Sequence, residues 1–274
     1  MKIASLKYLR AIVIYFLKIT SRDISMKNPY SNKKIILNSY KHKGYWYFQR
    51  YREEKTISSS KKIVKNGDNV IEIGGHIGFI SHLYSMLVGT SGQLFVFEPG
   101  ENNLKYTRKN LSNLENVELI EKACGDINGV LNFYKDEISG QNNSLLEDYE
   151  NVESVAKSHN EVPSRVASKV DVIRLGDFIS SRKLSINHIK IDVEGAEMQV
   201  LQGLGEELGK IPSFMVEITR DIEEVYSLMS AAGYLAYDEQ LIRLDGTAIN
   251  RGNVFFILSS TEISWVIIDI IDFK

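Results

Sequence analysis

Cysteine is nearly absent from this sequence of 274 residues, and its scarcity narrows the classes of protein that the chain can represent. The single cysteine, Cys124, excludes an intramolecular disulfide framework and a zinc site built from cysteines. Four of the five histidines show no spacing typical of a metal site: His42, His82, His159 and His188. We therefore expect a protein of a reducing, cytoplasmic interior with no metal site.

The sequence also lacks a strong excess of positive or negative charge, because its formal net charge is only −2. Such a chain has no overall basic field to attract phosphates, so nucleic acid is not expected as a partner. With 43% apolar and 25% charged residues, the chain can bury a full core. Its length favours one catalytic domain with extensions over two domains.

No apolar run near the N-terminus reaches membrane-spanning length. The run Ala11 to Leu17 is far shorter than the ~20 residues that a bilayer requires. The residues that follow it, 18–22, lack the small-residue pattern of a signal-peptide cleavage site. Residues 1–22 contain basic but no acidic side chains, which predicts an amphipathic helix packed on the domain or on a second copy in a homo-oligomer. A basic helix lying on an anionic membrane surface is the alternative.

Short apolar runs alternate with helix-like stretches, a pattern that predicts a mostly parallel sheet covered by helices. The predicted strands of that sheet are Asn69–Ile73, Gln93–Glu98, Val117–Lys122, His188–Asp192 and Ser213–Ile218. The predicted helices are Ile77–Val88, Glu101–Leu111, Glu194–Gly203 and Ile222–Ala232. We expect a helical, aromatic extension over 1–55, the catalytic domain over 56–260 and a tail over 261–274.

The third and fourth predicted strands are separated by much more chain than the other neighbours. Val130–Tyr134 and Val170–Leu175 have strand character, whereas Lys135–Lys169 is polar. This predicts a β-pair that carries a long surface loop. Near the C-terminus, Tyr234–Leu244 and Asn253–Ser259 predict an antiparallel hairpin.

The clearest motif is VIEIGGHIG at 70–78, where an apolar strand ends in an acid and glycines before a helix begins. Glycine allows the tight backbone of such a turn and the close approach of a ligand to the helix N-terminus. The motif therefore has the character of a cofactor-binding turn, with a plain tight turn as the alternative. The dinucleotide fingerprint GxGxxG and the Walker A lysine are both missing.

Further acids stand at the ends of the later strands. Glu98 can accept hydrogen bonds from both hydroxyls of a ribose, or can simply cap a helix. Asp126 either receives the amino group of an adenine or only opens a turn. Asp192 and Glu194 follow a strand to the edge of the sheet where ligands bind, with a structural salt-bridge cluster as the alternative. Glu217 ends the next strand and is either part of the same site or an exposed edge acid.

The motifs EIGGHIG (72–78), FEP (97–99) and KIDVEGAE (190–197), together with Glu217, resemble those of the FkbM family of S-adenosylmethionine-dependent methyltransferases. The resemblance implies a Rossmann-like class I methyltransferase fold, with S-adenosylmethionine as methyl donor. It also implies O-methylation of hydroxyls on sugars, glycolipids or natural products. The family turn usually reads DVGANxG, so Glu72, Gly75 and His76 replace the commoner Asp, Ala and Asn.

This resemblance assigns roles to individual residues. The amino-acid end of the cofactor is assigned to the turn residues Glu72, Gly74, Gly75, His76 and Gly78. The ribose is assigned to Glu98, and Asp126 is the candidate for the adenine. Asp192 lies where the methyl acceptor arrives.

Methyl transfer from a sulfonium mainly requires that the acceptor oxygen be aligned, because the methyl group is already activated. A carboxylate that takes the hydroxyl proton contributes typically ~10²–10⁴-fold. We expect Asp192 to be that base or to orient the hydroxyl, with Glu194 and His76 as lesser candidates. In a variant of this scheme, Asp192 and Glu217 hold Mg²⁺.

Two other classes of function stay open on sequence alone. One is a non-catalytic module of the same fold that binds a nucleotide or a glycan, in which the acids are structural. The other is a nicotinamide-dependent dehydrogenase, which the missing GxGxxG disfavours. For the methyltransferase, a carbohydrate hydroxyl is the expected small-molecule acceptor. The segment 135–169 and the aromatic stretch around Trp46 are expected to select that acceptor.

Overall fold

The computed structural model describes residues 12–148, 152–159, 161–244 and 251–261. Its helices are α1 (12–19), α2 (Lys43–Phe48), α3 (Glu54–Ile63), α4 (Ser81–Val88), α5 (Glu101–Leu111), α6 (Val152–His159), α7 (Leu175–Arg182), α8 (Glu197–Gly203) and α9 (Ile222–Ala231). Its strands are β1 (Asp23–Lys27), β2 (Lys34–Asn38), β3 (Asn69–Ile73), β4 (Gln93–Phe97), β5 (Val117–Ile120), β6 (Ala123–Gly125), β7 (Gly129–Asp136), β8 (Arg165–Arg174), β9 (His188–Ile191), β10 (Ser213–Ile218), β11 (Tyr234–Tyr237) and β12 (Gly252–Leu258).

The central sheet has the strand order β5-β4-β3-β9-β10-β12-β11. The first five strands in this order, β5, β4, β3, β9 and β10, run parallel. β12 lies between β10 and β11 and is antiparallel to both. Helices cover both faces, because one core cluster joins the sheet to α7, α8 and α9 and another joins it to α4 and α5. This confirms the predicted doubly wound sheet, its C-terminal antiparallel pair and the class I methyltransferase arrangement.

The long gap in the sequence forms a second sheet of order β6-β8-β7. The predicted β-pair is confirmed, since β7 and β8 are antiparallel from Gly129↔Val172 to Asp136↔Arg165. The predicted strand Val117–Lys122 is too long at its end, because the chain leaves the central sheet there and β6 pairs with β8 instead.

The prediction of a surface loop over Lys135–Lys169 is wrong for its first part. Asp136 is fully buried, and its carboxylate accepts hydrogen bonds from the amide N–H groups of Ile138, Ser139 and Gly140. These bonds turn the chain inward, so Ser139 lies buried against the central domain. The segment also contains α6.

Two predicted helices begin later than expected. Residues 76–80 form turns, with Gly78 at φ +78°, so α4 begins at Ser81 rather than Ile77. Glu194 (φ +56°) and Gly195 (φ +102°) are left-handed, so α8 begins at Glu197 rather than Glu194. The predicted strand Tyr234–Leu244 likewise ends at Tyr237, because the chain turns at residues 238–241.

The N-terminal extension contains a hairpin, β1-β2, in addition to the helix that the sequence predicts. Ile35 and Leu37 of β2 are fully buried and pack against Ile77, Phe79 and Tyr106 of the central domain. No helix among the described residues has the length and apolar character needed to cross a membrane. The predicted tail lies outside the described residues from position 262 onward.

Candidate active site

A cleft of about 1090 Å³, its open mouth included, lies at the carboxyl ends of the parallel strands. Open α/β sheets bind ligands at this edge. The strand ends β3, β4, β9 and β10 supply one wall, which we call the sheet side. Three residues of the N-terminal extension also line the cleft and form what we call the extension side: Tyr45, Arg52 and Glu53.

The glycine turn after β3 brings the sheet strands close together at the cleft. The amide N–H groups of Gly74 and Gly75 both donate to the carbonyl oxygen of Phe97 at 3.0 Å. Gly74 has φ +88°, and a Cβ added to it would overlap the carbonyl oxygen of Asp192. Only glycine therefore lets the turn lie directly against the end of β9.

His76 occupies the turn in a left-handed conformation, with φ +48°. Its Nε2 donates to the carbonyl oxygen of Ser139 at 3.2 Å, so its Nδ1 accepts from the hydroxyl of Tyr45 at 2.9 Å. Burial lowers the pKa of His76 to about 4, so the ring is neutral near pH 7. Because both ring nitrogens are engaged, the geometry gives His76 no free lone pair for the predicted role of a base.

Glu98 follows β4 and is buried at the cleft. One carboxylate oxygen accepts from the amide N–H of His76 at 2.8 Å. The other accepts from the amide N–H of Gly100 at 2.8 Å and from the side chain of Asn103 at 3.2 Å. Burial raises the pKa of Glu98 to about 7 despite these donors. The carboxylate thus links the glycine turn to the start of α5.

Four charged or acidic side chains form what we call the sheet-edge cluster: Glu72, Lys190, Asp192 and Glu217. The Nζ of Lys190 lies 3.0 Å from Oδ2 of Asp192 and 3.9 Å from Oε1 of Glu72. The side chain of Asp192 is 27% exposed, against 3% for Lys190 and 1% for Glu72. Asp192 is therefore the most exposed member of this ion-paired trio.

The pKa values of the carboxyl groups in the cluster are shifted in different directions. The charge of Asp192, together with burial, raises the pKa of Glu217 well above its usual value. Burial acts to raise the pKa of Asp192, but the Lys190 ammonium and a hydrogen bond from Glu217 outweigh burial and lower it. Burial also raises the pKa of Glu72 to about 7. Asp192 is therefore ionised at neutral pH, and Glu217 is the member of the pair that holds a proton more readily.

Residues 72–236 of this chain match the methyltransferase FkbM domain family. The chain belongs to the FkbM family of S-adenosylmethionine-dependent methyltransferases. This confirms the family, the enzyme class and the cofactor expected from the motifs.

Individual proteins similar to this FkbM methyltransferase include Methyltransferase 1 of Beauveria bassiana (strain ARSEF 2860), which is 32% identical over 149 residues. That match covers 50% of this chain and 59% of the relative. Aeropyrum pernix fibrillarin, solved with natively bound S-adenosyl-L-methionine, has a TM-score of 0.46 at 11% identity, covering 85% of this chain and 88% of that one. An rRNA methylase from Streptococcus thermophilus has a TM-score of 0.36 at 12% identity, covering 76% and 95%.

In this FkbM methyltransferase, two carboxylates of the cleft have hydrogen-bonding capacity that fits S-adenosylmethionine. Oε2 of Glu72 is buried and lacks a hydrogen-bond partner among the described residues, which suits an ammonium group beside it. The Glu98 carboxylate accepts three hydrogen bonds of about four that it can accept, and so retains capacity for a ribose hydroxyl. When bound, S-adenosylmethionine supplies an activated methyl group on a sulfonium.

The cleft brings together Glu72, Gly74, Gly75, His76 and Glu98 with Asp192 and Glu194, as the motifs predict. It does not include the other two candidates. Gly78 packs against Leu111 instead and shapes the turn. Asp126 is exposed after β6, which has left the central sheet, and its assignment to the adenine stays a prediction. At that end the cleft is lined by Ala123, Cys124, Phe133 and Leu145.

Glu194 and Glu197 differ in their surroundings although both belong to the KIDVEGAE motif. Glu194 lines the cleft, and its carbonyl oxygen accepts from the hydroxyl of Ser144 at 2.7 Å. Glu197 is buried and accepts from the amide N–H of Gly195 at 2.8 Å and the hydroxyl of Thr219 at 3.2 Å. Glu197 therefore holds the loop in shape, while Glu194 remains a candidate for contact with the acceptor.

The sequence pointed to two segments of the cleft wall, the aromatic stretch around Trp46 and the segment 135–169, as those that select the acceptor. It did not identify the individual cleft residues Tyr45, Arg52, Glu53, Gln141 and Asn143. The available signal was Arg52 beside an aromatic cluster, which is typical of a cation held on a ring. For the magnesium variant, no group of three or more metal-ligating side chains occurs among the residues described above.

Proposed function

We propose that this protein transfers a methyl group from S-adenosylmethionine to a hydroxyl oxygen of a sugar, glycolipid or natural product. The observation that supports this proposal is the ionised Asp192 carboxylate, exposed to the cleft and directly beside the glycine turn. An ionised carboxylate in this position can accept the hydrogen bond of an incoming hydroxyl and align its oxygen with the methyl group.

The protein's own residues hold this arrangement in place. Lys190 fixes one oxygen of Asp192 at 3.0 Å, and the protonated Glu217 donates to the same carboxylate. We propose that the acceptor hydroxyl donates to Asp192 and that this carboxylate takes its proton. The oxygen–carbon bond would form as the carbon–sulfur bond of S-adenosylmethionine breaks, with S-adenosylhomocysteine as the leaving group. Glu72, Gly74, Gly75 and His76 then face the amino-acid end of the cofactor, and Glu98 faces its ribose.

The walls of the cleft favour a neutral, hydroxyl-rich acceptor. The amide side chain of Gln141 lines the cleft and offers a hydrogen-bond donor to hydroxyl groups. The amide of Asn143, by contrast, is already bonded to Asp136 and Asn102. Tyr47 and Phe48, 71% and 53% exposed, stand on the segment that carries the extension side and offer ring faces for a sugar. The acids along the cleft oppose a phosphodiester, so we propose that nucleic acid is not the acceptor.

The proposal is tested by the release of S-adenosylhomocysteine in the presence of a panel of glycosides, glycolipids, polyketide alcohols and structured RNA. We expect release with a hydroxyl acceptor, and a methyl ether in the product by carbon-13 NMR. Methylation of RNA or of an amine alone would contradict it. Cofactor affinity without turnover on any acceptor favours the non-catalytic binding module.

We further propose that α1 contacts an anionic membrane surface. Ile12, Tyr15, Phe16 and Ile19 are each more than half exposed and lie at the spacing of one helix face, whereas Ile14 is buried against the protein. Residues 1–22 carry basic side chains and no acid, which complements anionic lipid head groups.

Sedimentation with vesicles tests this surface. We expect binding to vesicles that contain phosphatidylglycerol, little binding to pure phosphatidylcholine, and loss of binding in Phe16→Glu. Val166→Glu, which changes an exposed valine of β8, is the matched control. A homodimer that dissociates in Phe16→Glu, without vesicle binding, would show that a second copy covers this face instead.

A further inference from the structure

Arg52 and Tyr45 of the extension side form a series of contacts that ends at His76 of the glycine turn. The guanidinium carbon of Arg52 lies 4.4 Å from the ring centroid of Tyr45. The Tyr45 ring is stacked with that of His76, with centroids 5.4 Å apart and planes inclined by 27°. The hydrogen bond from Tyr45 to His76 fixes this arrangement. A cation of the extension is thereby held close to the turn.

The guanidinium of Arg52 has hydrogen-bonding capacity to spare. Its Nε donates to Glu53 at 3.2 Å, and its Nη2 donates to Gln141 at a long 3.5 Å. Nη1 has no acceptor among the residues that the structure describes. An arginine fork binds a carboxylate through two parallel N–H groups, so a planar anion suits the free edge.

The charges of the cleft create a need for such a cation. The cofactor carries a carboxylate at its amino-acid end, and the cleft already holds the acidic side chains of Glu53, Glu72, Asp192, Glu194 and Glu217. A carboxylate in such surroundings is costly unless a cation pairs with it.

Of the residues that the structure describes, three cations line the cleft: Arg52, Lys122 and Lys190. Lys190 is buried and already pairs with Glu72 and Asp192. Lys122 follows β5, at the edge of the sheet away from β9. Arg52 pairs with Glu53 through Nε only. Its guanidinium lies over the ring of Tyr45, whose hydroxyl bonds to His76 of the turn. Arg52 is therefore the cation within reach of the amino-acid end.

We propose that Arg52 binds the α-carboxylate of S-adenosylmethionine, and that Tyr45 and His76 position its guanidinium for this contact. The inference rests on the cofactor placement of the proposed function and extends it to the extension side. It also gives His76 a role, since this residue replaces the commoner asparagine of the family turn. His76 offers a ring for Tyr45 to stack on and a nitrogen to receive its hydroxyl.

Calorimetric titration without any acceptor tests the contact directly. The two ligands are S-adenosylmethionine and its decarboxylated analogue, which lacks only the carboxylate. We expect the intact protein to bind S-adenosylmethionine ~10–100-fold more tightly, because a hydrogen bond to a charged group contributes about 1.5–3 kcal/mol. In Arg52→Met this ratio should fall to near one, through weaker binding of S-adenosylmethionine alone.

Lys122→Met is the matched control, because it removes another cation of the cleft and should leave the ratio unchanged. Tyr45→Phe keeps the ring but removes the hydroxyl, and should lower the ratio by about 3-fold to 10-fold. If a substitution only disturbed the structure of the cleft, it would weaken the binding of both ligands equally. Arg52→Lys keeps the charge without the fork and should give an intermediate ratio; it also provides a variant if Arg52→Met does not fold.

Two results would overturn the inference. The first is an unchanged preference for S-adenosylmethionine in a folded Arg52→Met or Arg52→Lys protein. The second is equal binding of the two ligands by the intact protein, which leaves the proposed methyl transfer standing. If the intact protein binds neither ligand, both this inference and the proposed position of S-adenosylmethionine in the cleft are contradicted.

Discussion

The two sides of the cleft are built in different ways. The sheet side consists of acids at the ends of adjacent parallel strands, such as Glu72 near the end of β3 and Asp192 after β9, with the buried Lys190 between them. On the extension side, Tyr45 and Arg52 contact the rest of the cleft through the glycine turn, Phe79 and Gln141. The sheet side is fixed by strand pairing, whereas the extension side depends on residues distant in sequence.

This difference suggests a division of labour. Ionised Asp192 on the sheet side is suited to the acceptor and to the chemical step. Arg52 on the extension side is suited to binding, since it approaches the cofactor from outside the sheet. Variants on the sheet side should therefore change turnover most, and variants on the extension side should change affinity or stability.

The largest expected effect is that of Asp192→Asn. Loss of the carboxylate removes the proton acceptor, so kcat should fall by ~10²–10⁴-fold while the affinity for S-adenosylmethionine stays within about threefold. Single-turnover rates and calorimetric titration separate the two effects. Asp171→Asn, at an exposed position of β8, is the control. Unchanged turnover would remove Asp192 from the mechanism.

A large effect on stability is expected from Leu37→Ala. Leu37 is fully buried where the hairpin of the extension packs on the domain, so its truncation should cost about 2–5 kcal/mol of unfolding free energy. Urea denaturation measures this cost. Ile12→Ala, at a position 53% exposed, should change it by less than about 0.5 kcal/mol. An unaltered stability in Leu37→Ala would show that the hairpin does not contribute to the folding of the domain.

A moderate effect is expected in the pH dependence of cofactor binding. Because burial raises the pKa of Glu72 to about 7, this carboxyl is mostly protonated at pH 6 and mostly ionised at pH 8. Affinity for S-adenosylmethionine should therefore rise through pH 7, by up to about 10-fold, until the ligand's own ammonium deprotonates near pH 8.

Glu98 has a similar raised pKa and needs its own control. Glu72→Gln should flatten the pH dependence for S-adenosylmethionine. For methylthioadenosine, which lacks the amino-acid end, the same substitution should change nothing. An equal pH dependence for S-adenosylmethionine in both proteins would place the ammonium away from Glu72.

The smallest effect is expected from Glu217→Gln. The charge of Asp192 and burial raise the pKa of Glu217, and we propose that this carboxyl is neutral and donates to Asp192. Glutamine preserves both properties, and kcat at pH 7 should stay within about threefold. Glu217→Leu, which removes the donor, should lower kcat further. A hundredfold loss in Glu217→Gln would show that Glu217 must ionise during the reaction.

The sheet side could be predicted because its information is local. Apolar strands that end in Glu72, Glu98 and Asp192 are each visible in a short stretch, and the ends of parallel strands meet at one edge of a sheet. Their placement at the cleft follows from that rule alone. The start of α8 was misplaced because the left-handed conformation of Glu194 is set by packing and not by helix propensity.

The extension side could not be predicted because its contacts are long-range. Tyr45 reaches His76 across 31 positions, and Arg52 reaches Gln141 across 89. β1 is half-exposed and short, so its alternating pattern carries little signal. The turn at Asp136 buries a polar segment that resembles a surface loop in composition.

A crystal structure of the complex with S-adenosylhomocysteine tests the central claim most directly. The account predicts a ribose hydroxyl on Glu98, the ammonium beside Glu72, the carboxylate on Arg52, and the sulfur pointing toward the open side of Asp192. Electron density for the ligand outside this cleft, or a sulfur directed away from Asp192, would contradict it.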